Sequence, residues 1–163
     1  MITLQGILGA VASPIAAAFP ERYLYIGRQP ANFERPSFFL ELVTTARRRL
    51  GVGVDETEVY LTLTIHEELD ETRAGSQEAA LSDQDAVMGL FRQGILRVPD
   101  SADARGRALP IAAANGGQDG GEAFVELTVT LRDGVGYDPE EGLDRMETVY
   151  SRVTLAGKGG GEL

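Results

Sequence analysis

The chain has 163 residues, one histidine, no cysteine and a net charge of −10. That composition excludes disulfides, thiolate metal sites, cysteine nucleophiles and any site needing two histidines, and it argues against a nucleic-acid-binding surface spread over the whole protein. Apolar and charged fractions of 43% and 25% are ordinary for one globular domain able to bury a core, and no apolar run approaches the about 20 residues of a membrane helix.

Ile2 to Phe19 has Leu4, Ile7, Leu8, Val11, Ile15 and Phe19 on one stripe at helical spacing. This predicts a helix over 2–18 rather than a signal peptide, since no basic segment precedes it. Pro14 lacks the amide that would bond the carbonyl of Ala10, so the helix is expected to kink there, or to end and restart. Arg22 to Gly27 reads as a short strand, and Arg28 to Arg35 as a loop. The central element is the strand over 36–46. Phe38, Leu40 and Leu42 alternate with Phe39, Glu41 and Val43, the pattern of a half-buried strand. Val59, Leu61, Leu63 and Ile65 repeat it over 57–67. Gly51 and Gly53 lie between the two strands, which predicts a long antiparallel hairpin. Its register can set Arg47, Arg48 and Arg49 against the acidic residues of Asp55 to Glu58. The arginine run is then a solvated strand end, or else an intersubunit or lumen-facing patch.

Ala74 to Ala80 reads as a loop or an early helical turn, and a helix is predicted over 82–93. Ser82 is its candidate cap, Asp83 and Asp85 suit its N-terminal dipole, and Gly94 is its candidate terminator. Val87, Leu90 and Phe91 form its apolar stripe. Ile95 to Val98 reads as an edge strand and Pro99 to Gly106 as a polar connection. Strands over 107–114 and 122–132 are predicted to pair across Asn115 to Gly121, a loop too long for a tight two-residue turn. The second of them alternates Val125, Leu127, Val129 and Leu131 with polar residues. Leu40, Leu63 and Leu127 should lie buried beneath Leu8, Val11 and Leu90. Residues 134–163 form an extension: a Gly- and Pro-containing linker through Leu143, a possible strand over 146–155, and a flexible end at Gly157 to Gly161. The expected class is α+β, with a mostly antiparallel sheet covered on one face by two helices.

Little in the sequence assembles chemistry. A serine triad would have to use His66, which sits on a polar strand face with Thr62 and Thr64, and there is no Gly-x-Ser-x-Gly elbow. The expectation is an ordinary exposed or half-exposed histidine. His66-Glu67 begins like a zinc-protease motif, but Asp70 stands where the second histidine is required. Glu67, Glu68, Asp70 and Glu71 can hold a hard cation loosely or form a solvated acidic segment, and the second is the simpler reading. Gly157-Lys158-Gly159 lacks the hydroxyl residue and the helix of a phosphate loop. Neither catalytic residues, cofactor nor metal is expected. The candidate subunit-interface residues are Arg47, Arg48, Arg49, Glu67, Glu68, Tyr150 and Arg152.

In order, Leu4 to Phe19, Tyr23-Leu24-Tyr25-Ile26, Pro36-Ser37-Phe38-Phe39-Leu40, Tyr60-Leu61-Thr62-Leu63-Thr64-Ile65, Ser82 to Arg92 and Ala108 to Leu131 resemble a family of small tail-terminator-like proteins of long-tailed phages. The resemblance covers residues 1–133. It implies a mixed sheet flanked by helices, in a ring of six copies. Such a ring stops growth of the tail tube at its head-proximal end and offers a joining surface to the head–tail connector. The implied partners are the chain itself, the tail-tube protein and the connector protein, with DNA only as cargo passing through the lumen. No membrane is involved, and the implied location is the neck of the virion after assembly in the host cytoplasm. The alternatives are a connector component or tail-tube-like protein and, more remotely, a small monomeric binding module or a hydrolase.

Overall fold

A computed structural model describes residues 1–134. The expected linker beyond Gly134, the strand over 146–155 and the candidates Tyr150 and Arg152 lie outside the described residues. The described chain is α+β, with two helices and a mixed six-stranded sheet. In chain order the elements are α1 (Leu4–Ala18), β1 (Tyr23–Ile26), β2 (Ser37–Gly51), β3 (Val54–His66), α2 (Gln77–Leu90), β4 (Ile95–Asp100), β5 (Asp103–Asp119) and β6 (Glu122–Gly134). The strand order is β1-β2-β3-β6-β5-β4. All neighbours are antiparallel except β1 and β2, which run parallel. The loop 27–36 brings the chain back to start β2 beside the start of β1.

The alternation read from the sequence sorts the two faces of β2, β3 and β6. Leu40, Leu63 and Leu127 are all buried on the face that carries the helices, together with Phe38, Ile65, Leu61, Val59, Val125 and Val129. The helix α1 adds Ile7, Val11 and Ile15, while Leu8 is only partly buried and Leu4 is exposed. Thr3 caps it, its hydroxyl accepting from the Gly6 amide at 3.0 Å. The helix is continuous through Pro14, so of the two expectations it does not end and restart there; one missing bond is carried by the packing of Val11, Ala12 and Ile15 around it. The same helix touches both β1 and β4, the two outermost strands. A flat sheet of six strands about 4.8 Å apart cannot bring both edges to one helix of about 10 Å diameter, so the sheet curls around it.

Three expectations are corrected. The helix α2 starts at Gln77, capped by Ser76 rather than Ser82, because its buried stripe is Ala80, Gln84, Val87 and Phe91. Leu90 lies off that stripe and is exposed. The connection Pro99–Gly106 is almost entirely strand: β4 runs to Asp100, and β5 resumes at Asp103. The tip Asn115–Gly121 is also mostly ladder, since Asn115 to Asp119 pair with Glu126 to Glu122. Its turn is the two-residue Gly120-Gly121, both at positive φ, the conformation that suits the twist of a hairpin. Gly116 serves a close approach instead, because a Cβ there would lie 2.6 Å from Gln84 Nε2. Gln84 uses that amide to hold α2 to the sheet, donating to the carbonyls of Gly117 (2.9 Å) and Phe124 (2.8 Å).

Candidate functional site

The candidates fall at the two ends of β3. Glu56 and Glu67 are separated by about 35 Å along the strand at ~3.3 Å per residue.

At one end, the register sets Arg48 opposite Glu56 and Glu56 opposite Arg132, on the face away from the helices. Arg48 Nε donates to Glu56 Oε1 at 2.8 Å, and Arg132 Nε to Glu56 Oε2 at 2.7 Å. Glu56 is 2% exposed, whereas the two arginine side chains are 68% and 67% exposed. The hydrogen bonds from Arg132 and then Arg48 hold the Glu56 carboxyl below its ordinary range. The same contact raises Arg48. Arg47 and Arg49 point to the helix-side face. There Arg47 Nε meets Thr57 Oγ1 at 3.3 Å, and Arg49 Nε meets Asp55 Oδ1 at 3.5 Å. The run is thus split between faces, and its side chains remain largely open to solvent. At the tip beyond them Leu50, Val52 and Val54 are exposed. A groove of about 720 Å³ lies between this hairpin and the start of α1, with Ile2, Leu4, Arg47, Thr57 and Leu131 in its walls.

At the other end, Glu67 is buried, which corrects the expectation that the whole acidic segment is solvated; Glu68 is exposed, as are Asp70 and Glu71. Arg22, just before β1, reaches Asp83 of α2 in a direct ion pair and lies 3.7 Å from Glu67. Burial, and then the carboxyl of Asp83 beside it, push the Glu67 carboxyl up to about 7 against the pull of Arg22. Asp70 is held below its ordinary value by Thr72 and the Ala74 amide, in a turn of the loop.

His66 is buried, contrary to the exposed position expected of it. The loop 27–36 lays Phe33 over its ring, with centroids 4.5 Å apart. Its Nδ1 lies 2.7 Å from Glu122 Oε1, within hydrogen-bond distance. Arg35 braces the same oxygen at 3.1 Å. Ser37 faces His66 across β2 and β3, so serine, histidine and glutamate stand on three adjacent strands. Yet Ser37 Oγ and His66 Nε2 make no hydrogen bond and are both shut from solvent. A nucleophile needs its base within bonding reach and a path for substrate, and here the pair has neither.

Arg22, Arg35, Asp83 and Glu122 were missed in the sequence because their partners are distant in the chain. The Arg48–Glu56–Arg132 ladder was half visible, since the hairpin register implied the first pair. Among the described residues, no group of three or more His, Cys, Asp or Glu is placed to hold a metal ion. No protein-family model matches the chain, and no curated protein matches it.

Proposed function

We propose that the chain is a structural protein of a phage tail: a terminator that forms a ring, of six copies by resemblance, at the head-proximal end of the tail tube. In this reading it stops tube growth and presents the joining surface to the head–tail connector. It carries no catalytic centre or cofactor, resides in the neck of the virion and is assembled in the host cytoplasm. Its partners are further copies of itself, the tube protein and the connector, and DNA crosses the lumen as cargo.

The observation that carries the reading is the order and character of the elements: a leading apolar helix, a tyrosine-bearing strand, a strand opening on Pro36-Ser37-Phe38-Phe39, and then Tyr60-to-Ile65, a helix and a closing hairpin. Its support at the level of surfaces is that the two ends of β3 are unlike. One offers exposed arginines and the apolar tip Leu50, Val52 and Val54; the other offers the exposed acidic residues Glu68, Asp70 and Glu71. A closed ring is built from such a pair of different, complementary surfaces.

Imaging of completed tails tests this. The expected result is density for this chain as one closed ring at the head-proximal end of the tube. Absence from that end, or presence without closed symmetry, overturns it. Finding the chain along the tube or within the connector instead selects the tube-like or connector alternative.

A further inference from the structure

Three charged side chains meet where β3 ends, and their charges do not balance. Arg22 pairs directly with Asp83 of α2 and lies 3.7 Å from Glu67, so one guanidinium faces two carboxyls. Arg22 is itself fixed, since its guanidinium stands 5.3 Å from the ring centres of both Phe19 and Phe38. Asp83 therefore has the close partner, and Glu67 is the surplus acid. Glu67 Oε1 is shut from solvent and makes no hydrogen bond among the described residues. A carboxylate in such a place is costly unless it keeps its proton or reaches water.

The loop 68–76 helps to shut Glu67 in. Leu69 and Gly75 bridge to each other across it, and a Cβ on Gly75 would lie 3.4 Å from the Glu67 Cβ. Asp70 ties the turn between them, accepting from the amides of Thr72 at 2.8 Å and Ala74 at 3.0 Å, so the loop can move as one piece. Its near end is set by Arg35, whose Nη1 donates to the Glu67 carbonyl at 3.0 Å and holds that backbone in place. Its far end is Ser76, the cap of α2.

We propose that Glu67 is the trigger of a pH latch: as a neutral acid it lies beneath the loop 68–76 and the loop stays closed, and as a carboxylate it is repelled by Asp83, turns to water and lifts the loop. The charged groups that face it are Arg22 from the segment before β1 and Asp83 from α2, with Arg35 at its carbonyl. The range follows from the raised carboxyl. In the closed form Glu67 keeps its proton up to about 7, whereas in the open form it releases the proton at an ordinary carboxylate value, so rising pH favours opening up to about pH 7 and little further above it. Glu68, Asp70 and Glu71 ride on the loop and are exposed, so the latch sets where this acidic surface stands. A chain of any function can carry such a latch, and it does not rest on the terminator reading.

The test is the distance between spin labels on the full-length pair Glu71→Cys/Ala86→Cys, one on the loop and one on the exposed face of α2; the chain has no cysteine of its own, so the labels sit only there. At about pH 5.5 one short distance should dominate. At about pH 8 a longer distance should join it, with the ratio of long to short raised about tenfold or more. Adding Glu67→Gln, which cannot ionise, should hold the short distance at both pH values. Adding Asp83→Asn, which leaves Arg22 to Glu67 alone, should do the same, and it serves where the first variant folds poorly. An unchanged distance in the labelled parent between the two pH values overturns the proposal. So does opening at the higher pH that persists in either variant, since the trigger is then another group.

Discussion

Glu67 shows how far a residue's surroundings can depart from its sequence neighbours. It stands in a run of acids, yet it is folded against Arg22 and Asp83, with its carboxyl raised from 4.5 to about 7. A raised carboxyl means the folded state holds a proton that the unfolded chain has released between those two values. Its contribution to stability is therefore fully present below about pH 4.5 and lost as pH rises to about 7. Glu67→Gln should remove that loss. We expect the variant to gain about 1 kcal/mol over the parent at pH 8, after allowance for solvent screening, and little at pH 5; denaturation midpoints at both pH values check it. Glu56 and Asp70 have the opposite sign. Their lowered values give stability that disappears as pH falls through the acid range, so the parent should be most stable between the two regimes. In the core, Leu63→Ala should cost about 2–5 kcal/mol by chemical denaturation, since Leu63 is 1% exposed. A cost below about 0.5 kcal/mol would mean that this face of β3 is not buried. The burial of Leu63 was legible in the alternation of β3. The burial of His66 was not, because the ring that covers it, Phe33, comes from a loop with no periodic pattern.

Among the elements, the strands with alternating side chains were legible, and the boundaries set by distant partners were not. The sequence points to Ser82 as the cap, whereas Ser76 caps the helix. The burial of Ala80 and the bonds of Gln84 to β5 and β6 go with the earlier start, and Ala80 is too small to announce a stripe. Ser76→Ala should therefore cost about 1 kcal/mol, while Ser82→Ala should be close to neutral; paired thermal melts distinguish the two starts. The glycine-rich reach Asn115–Gln118 looked like loop because glycine usually marks one, but β6 supplies a complete partner and draws it into the ladder. Two other glycines should respond in opposite senses. Gly106 has φ +68, and a Cβ there would sit 2.7 Å from the Val98 carbonyl, so Gly106→Ala should destabilise by about 1–3 kcal/mol. Gly9 faces open space inside α1, so Gly9→Ala should stabilise by about 0.5–1 kcal/mol. Denaturation of both variants under one set of conditions gives the comparison.

For the whole molecule, the α+β class was legible, and its closure around α1 was not. Curling depends on where β5 leaves β6 for β4, near Pro110 and the irregularity between Ile111 and Ala113, and no local pattern marks that exchange of partners. The two unlike ends of β3 were legible as charge runs, and the hairpin register implied the Arg48–Glu56 pairing but not Arg132 or the Arg22–Asp83 pair. If the exposed arginines hold neighbouring copies together, the mass of any assembled form should fall as salt rises from about 50 mM to 500 mM, because exposed ion pairs are screened on that scale; sedimentation at both salts reads this directly. The grip of one leading helix on both sheet edges also sets a clock. During synthesis α1 precedes the sheet, and β4, which closes over it, is joined to β3 only through β5 and β6, so its place exists only once Gly134 is made. At ~5–20 residues per second, Ile7, Val11 and Ile15 wait on the order of 5–25 s for that cover. Over that interval the growing chain presents its most apolar helix to whatever chaperone or neighbouring ribosome is at hand.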